Sequence, residues 1–248
     1  MVRSIPWDFW LILIVLAVVL PWRGRQRMRA LMALPEVSGR DRINLYISTI
    51  LFQWLLTALV GWRAIARGIT RGELGLTGGS WTLLLVTLVG AVVIAVGHWL
   101  NMRRMAGLNH PSVERLRALA LRIFPRSGRE IPFYILLALT AGICEEFIFR
   151  GFLIAALLRA GISTALVILL SSILFGIAHL YQGKGGSLGT GLLGIIFAVV
   201  RITYYSLVPV VVWHTVLDVV AGIAGARFLV EESGEAKPLL GPNKYLLL

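Results

Sequence analysis

The sequence predicts an all-α protein, a polytopic membrane helix bundle of about seven transmembrane helices, with eight as the alternative count. Three observations carry that expectation. Hydrophobic residues fill 58% of the 248 positions, and the mean hydropathy is +0.83. A soluble domain is nearer roughly 45–50% apolar. The apolar residues fall in runs long enough to cross a bilayer as helix, which takes about 20 residues. The basic residues fall between those runs, so the net charge of +12 reads as positive-inside topology and attraction to anionic lipid, not as a nucleic-acid surface.

Helix one is expected over Ile5 to Trp22, with Trp7, Trp10 and Trp22 near its ends as an aromatic belt. Its length and the basic stretch behind it argue for a retained helix, not a cleaved signal peptide. Asp8 in its first turn reads as interfacial and structural. The loop that follows carries Arg23, Arg25, Arg27, Arg29, Arg40 and Arg42 against Glu36 and Asp41, the strongest cytoplasmic signal in the chain. Helix two is expected over Ile43 to Trp62 and is followed by a glycine-rich, moderately basic loop from Arg63 to Ser80. Helix three covers Trp81 to Leu100.

The next loop carries Arg103, Arg104, Arg115, Arg117, Arg122, Arg126 and Arg129. Within it, Ser112 to Phe124 reads as a short amphipathic helix on the membrane surface, bracketed by Pro111 and Pro125. Helix four occupies the apolar run from Ile131 to Leu158. After a break at Arg159-Ala160-Gly161, helix five runs from Ile162 to Tyr181. A glycine-rich break leads to helix six, Leu188 to Thr203, and Gly185, Gly189, Gly191 and Gly194 are expected to allow close approach of a neighbour. Arg201 reads as snorkelling to a membrane edge. Helix seven, Leu207 to Leu229, carries His214 and Asp218. The tail from Glu231 is polar and is expected to be poorly ordered. The alternation of basic loops puts the N-terminus outside and the C-terminus in the cytoplasm.

Chemistry concentrates in the second half. Of twelve acidic residues, only Asp8, Glu145, Glu146 and Asp218 lie in apolar runs. His179 and His214 are likewise intramembrane. Ionisable groups at membrane depth are costly singly, and mark a functional site facing protein or water by default. Glu146 and Arg150 are four apart on helix four and share a face. Glu145 points about 100° away and has no local partner, which makes it the natural general base. Phe175 and His179 are four apart, and so are His214 and Asp218, where a hydrogen bond would fix the tautomer of His214. Two routes to activated water remain open: a metal bound by Glu145, His179 and His214, or direct deprotonation by Glu145 and His179 with His214 at the oxyanion. The cofactor is accordingly one divalent, zinc-like metal or none. Cys144 is the only cysteine, so no intrachain disulfide forms; it reads as a small packing residue.

These residues resemble the three motifs of the CAAX-protease and bacteriocin-processing (CPBP) family. Glu145-Glu146 with Arg150 is similar to Glu-Glu-x-x-x-Arg, Phe175 with His179 to Phe-x-x-x-His, and His214 with Asp218 to His-x-x-x-Asn/Asp. The similarity covers roughly Pro132 to Ala224, with a further Leu-Gly-Leu at Leu74-Gly75-Leu76. It implies an intramembrane endopeptidase, with Glu145 and His179 activating water, His214 and Asp218 at the oxyanion, and Glu146 and Arg150 supporting the site. An ionised Asp218 cannot donate a hydrogen bond, so it is expected to orient His214 or to ligate metal.

The chain thus divides into N-terminal transmembrane helices with basic loops over 1–130, a CPBP-like bundle over 131–229 and a tail over 230–248. The expected partners are a membrane-protein or lipidated-peptide substrate and membrane lipids, with no nucleic acid. The expected location is a prokaryotic cell membrane. Two other classes fit the same residues: a proton-coupled transporter using the intramembrane acids and histidines as a relay, and a non-catalytic immunity or scaffold protein.

Overall fold

The computed structural model describes residues 6–231, and the expected disorder of the tail therefore lies outside the described residues. Among them the protein is all helical, with no strand. The helices are α1 (Trp7–Ala33), α2 (Gly39–Ala66), α3 (Trp81–Ala106), α4 (Pro111–Ile123), α5 (Ile131–Arg159), α6 (Thr164–Ala178), α7 (Lys184–Tyr204) and α8 (Val208–Val230). All except α4 and α6 are long and apolar enough to cross a membrane. With the shorter apolar α6, they make up the bundle that the hydropathy pattern predicts. The protein is a multi-pass membrane protein.

α1 runs 27 residues, well past the expected end at Trp22. At about 1.5 Å per residue this is roughly 40 Å, so the arginines from Arg23 to Arg29 sit on a helical extension and not in a loop. Arginine and leucine are good helix formers, and Arg27 anchors the extension to α2 by donating to Thr49 Oγ1 at 3.1 Å and to Ser48 Oγ. Pro21 is tolerated inside α1 because the turn before it, Val15–Val19, is π-helical. That widened turn relieves the clash between a proline ring and the preceding carbonyls.

α2 starts at a reciprocal capping box between Ser38 and Asp41. Arg42 then makes a buried pair with Glu130, 2.6 Å from Nε to Oε2 and 3.2 Å from Nη2 to Oε1. Asp8 is buried, as is usual only for a paired acid: Arg63 Nη2 and Arg67 Nη2 lie 2.6 and 3.0 Å from its two oxygens. Each contact ties the first half of the chain to itself or to the entrance of α5.

α5 and α8 meet through glycines. A Cβ on Gly142 would lie 2.3 Å from Thr215 Oγ1 and 2.9 Å from the Val211 carbonyl, and one on Gly222 would lie 2.1 Å from the Tyr134 ring. At Gly142 any side chain would force the backbone of α8 to shift, and at Gly222 it would displace the Tyr134 ring. α6 and α7 pack equally closely: Ser187 Oγ donates to the Gly176 carbonyl at 2.6 Å. At the far end, the segment from Thr70 to Ser80 closes the bundle. Leu207 N donates to Gly75 O at 2.8 Å, and Arg159 clasps the Glu73 carboxylate at 2.5 and 2.7 Å. Arg201 does not snorkel to an edge. It is buried, lies against Gly75 and donates to the Glu73 carbonyl, because that loop folds over the end of α7 and offers a backbone acceptor.

Candidate active site

The two glutamates end the regular part of α5. From Phe147 to Leu153 the helix widens into a π-helical stretch, a feature that accompanies functional sites in many helices. Glu146 and Arg150 are fully buried, with Nη1 of Arg150 3.1 Å from Oε1 of Glu146. The Arg150 guanidinium carbon lies 3.9 Å from the centroid of the Phe175 ring, a cation–π contact that suits a desolvated arginine. Gly194 on α7 makes the room: a Cβ there would lie 2.9 Å from Arg150 Nη2.

His214 reaches the same carboxylate from α8. Its Nδ1 is 2.8 Å from Glu146 Oε1, so Glu146 fixes the orientation of this imidazole. The expectation that Asp218 would do so is corrected. Asp218 Oδ2 stands 3.6 Å from Nε2, on the opposite ring nitrogen, and beyond hydrogen-bond length. The expected Glu146–Arg150 pair is present, but with His214 as a third member. Phe175 and Phe197 wall the His214 ring at centroid distances of 5.9 and 6.3 Å.

His179 stands at the end of α6. Its Nδ1 is 2.8 Å from the Phe175 carbonyl. A carbonyl only accepts, so Nδ1 carries hydrogen, and the neutral ring has its acceptor at Nε2. That nitrogen faces Glu145 Oε2 at 3.6 Å, and His214 Nε2 faces the same oxygen at 4.0 Å. Glu145 Oε1 accepts from Gln53 Nε2 at 2.7 Å, whereas Oε2 is buried without a hydrogen-bond partner among the described residues. The side chains of Asp218, Glu145, His179 and His214 are 39, 21, 12 and 9% exposed, and those of Glu146 and Arg150 not at all. The cluster is therefore open at Asp218 and Glu145 and dry at its base.

All six residues singled out by sequence thus lie together. Gln53 is an addition from α2. Its only sequence signal is a lone amide in an apolar run, and such residues also serve plain helix packing. Cys144 is buried and free. Among the described residues, no group of three or more His, Cys, Asp or Glu side chains stands in metal-holding geometry. Glu145 Oε2 and His214 Nε2, 4.0 Å apart, are wider than the ~3.3 Å between neighbouring donors that tetrahedral bonds of about 2.0–2.1 Å imply. This donor set does not fit a metal as arranged.

Residues 127–220 match the family model described as Type II CAAX prenyl endopeptidase Rce1-like. The match takes in all three motifs and agrees with the resemblance drawn from them. No curated protein and no solved structure matches the chain. The family so described is one of CAAX prenyl endopeptidases, and the matched span, short of half the chain, contains every motif residue from Glu145 to Asp218.

Proposed function

We propose that the protein is an intramembrane endopeptidase that hydrolyses a peptide bond near a membrane-embedded substrate terminus, using water activated between Glu145 and His179. The observation that carries this reading is the buried, unpartnered Oε2 of Glu145, 3.6 Å from His179 Nε2 and 4.0 Å from His214 Nε2. Separations just beyond a direct hydrogen bond are those a single water bridges.

The steps use the chain's own residues. Glu145 Oε2 takes one proton of the water, while the other is held by Nε2 of His179. The water oxygen bonds to the scissile carbonyl carbon, and the carbonyl electron pair moves onto its oxygen. His214 donates from Nε2 to that oxyanion, and Glu146, accepting from Nδ1, offsets the charge the ring carries. Arg150 balances Glu146 beneath. The carbon–nitrogen bond then breaks, and the proton on Glu145 passes to the leaving amine. Closure of the bundle's far end by the Thr70–Ser80 segment and the exposure at Asp218 favour substrate entry from the end that carries Arg42, Glu130 and α4.

The test is cleavage of a membrane-peptide library containing farnesylated CAAX peptides by the detergent-purified protein, with and without a chelator. Mapped cuts close to the substrate's C-terminus, unchanged by chelator, are expected. Cuts confined to soluble, unlipidated segments would refute the substrate class, and loss of all cutting on chelation would refute the metal-free steps.

A further inference from the structure

Asp218 leaves the site one donor short. An oxyanion developing on the scissile carbonyl is best held by two preorganised donors. His214 Nε2 is one, and a carboxylate beside it can only accept when ionised. Neighbouring donors are committed elsewhere. Gln53 donates to Glu145 at 2.7 Å, Tyr134 Oη to the Asp218 carbonyl at 3.0 Å, Thr215 Oγ1 to the Val211 carbonyl at 2.8 Å and Ser172 Oγ to the Ile168 carbonyl at 2.7 Å. Arg150 is sealed beneath Phe175.

Tyr181 is differently placed. It sits in the single turn after α6, two residues beyond His179, and its ring lies against that imidazole at 5.8 Å between centroids, tilted by 36°. The position is built. A Cβ on Gly24 of α1 would lie 3.5 Å from the edge of the ring, and Arg115 of α4 donates to the Tyr181 carbonyl at 3.4 Å. The hydroxyl is the end of an oriented chain. Thr190 Oγ1 donates to Gln182 Oε1 at 3.2 Å, which turns the Gln182 amide nitrogen to the Tyr181 oxygen at 3.5 Å. Gly186 makes room for the Gln182 side chain, since a Cβ there would lie 2.6 Å from Gln182 Cβ. The phenol therefore receives a hydrogen bond, and its own proton has no acceptor among the described residues. The imidazole that the Tyr181 ring lies against is the one whose Nε2 faces Glu145 Oε2 at 3.6 Å.

We propose that Tyr181 is a catalytic residue, donating its phenolic hydrogen to the scissile carbonyl oxygen alongside His214. This rests on the protease reading above. No proton is transferred from the phenol: it holds the oxyanion through one hydrogen bond while the water adds and releases it when the carbon–nitrogen bond breaks. Gln182 and Thr190 are positioning residues that aim the hydroxyl.

The test compares steady-state cleavage of the library peptide that wild type cuts fastest by wild type, Tyr181→Phe, Gln182→Leu, Tyr204→Phe and Glu145→Gln, all as full-length protein. Phenylalanine keeps the ring against His179 and removes only the hydroxyl. The expected result for Tyr181→Phe is a fall in kcat of about 100-fold, the scale of losing one oxyanion donor, with KM and melting temperature unchanged. Gln182→Leu is expected to fall less, and Tyr204→Phe, at the other end of α7, to match wild type. Wild-type kcat in Tyr181→Phe, with Glu145→Gln inactive, would overturn the Tyr181 assignment and leave the protease standing. No cutting by wild type or any variant would remove the protease reading, and this assignment with it.

Discussion

His214 Nδ1 lies 2.8 Å from Glu146 Oε1, joining two residues 68 positions apart in the chain. The same oxygen accepts from Arg150 at 3.1 Å. The second glutamate of the pair thus joins the buried cation of α5 to the imidazole of α8.

Glu146→Ala leaves Arg150 buried without its anion and His214 without its anchor. Breaking a buried pair by removing one member costs about 3–5 kcal/mol. A large fall in melting temperature in detergent, together with lost cleavage, is expected. Glu146→Gln keeps the shape, and is expected to retain more stability than activity. Equal stability of Glu146→Ala and wild type would count against the triad.

Gln53 holds one oxygen of Glu145 so that the other faces the histidines. Gln53→Leu removes that donor from a buried carboxylate, a loss of about 1–3 kcal/mol. Carried into the transition state, this lowers kcat/KM by roughly tenfold or more. Kinetics of the purified variant check it; unchanged kcat/KM would make Gln53 a packing residue only.

Gly142→Ala puts a methyl group 2.9 Å from the Val211 carbonyl and 2.3 Å from Thr215 Oγ1. The first is backbone of α8 and cannot rotate away, so α5 and α8 must separate. Overpacking of this kind costs about 1–3 kcal/mol, and it lies one turn from Glu145. Reduced thermal stability and reduced cleavage are expected together, whereas Gly97→Ala, which meets nothing within 4 Å, is expected to change neither.

Glu73 reports on closure of the far end. The Arg159 guanidinium against it holds its carboxyl down at about 2, from an ordinary value of 4.5. The folded value is depressed, so the stability it confers is full above about 4.5 and is lost as pH falls towards 2. Melting temperature should drop across that window in wild type, and drop less in Glu73→Gln. Both groups are more than a third exposed, so the effect is small and salt-sensitive. Identical pH curves for the two proteins would remove the clasp from the account of stability.

The sequence exposes the site where a charge interrupts an apolar run. Glu145, Glu146, Arg150, His179, His214 and Asp218 are all visible on that ground, and they converge. Their pairing is less legible. Four-residue spacing brings His214 and Asp218 to one face of α8, yet the ring nitrogen that needs fixing points to another helix, towards Glu146. Gln53 carries no charge to betray it. Arg201 looks interfacial because its acceptor, the Glu73 carbonyl, is contributed by a distant loop. The true length of α1 is hidden because arginines suited to a cytoplasmic loop are equally suited to a helix.

The most direct measurement is cleavage by wild type and Glu145→Gln in water enriched in ¹⁸O, with the fragments read by mass spectrometry. Wild type is expected to place one labelled oxygen in the new carboxyl group. Glu145→Gln, which keeps the Gln53-facing shape but cannot take a proton, is expected to lose about 10²–10⁴ of the rate. Cutting by Glu145→Gln at the wild-type rate would contradict the assignment of Glu145 as the base that activates water.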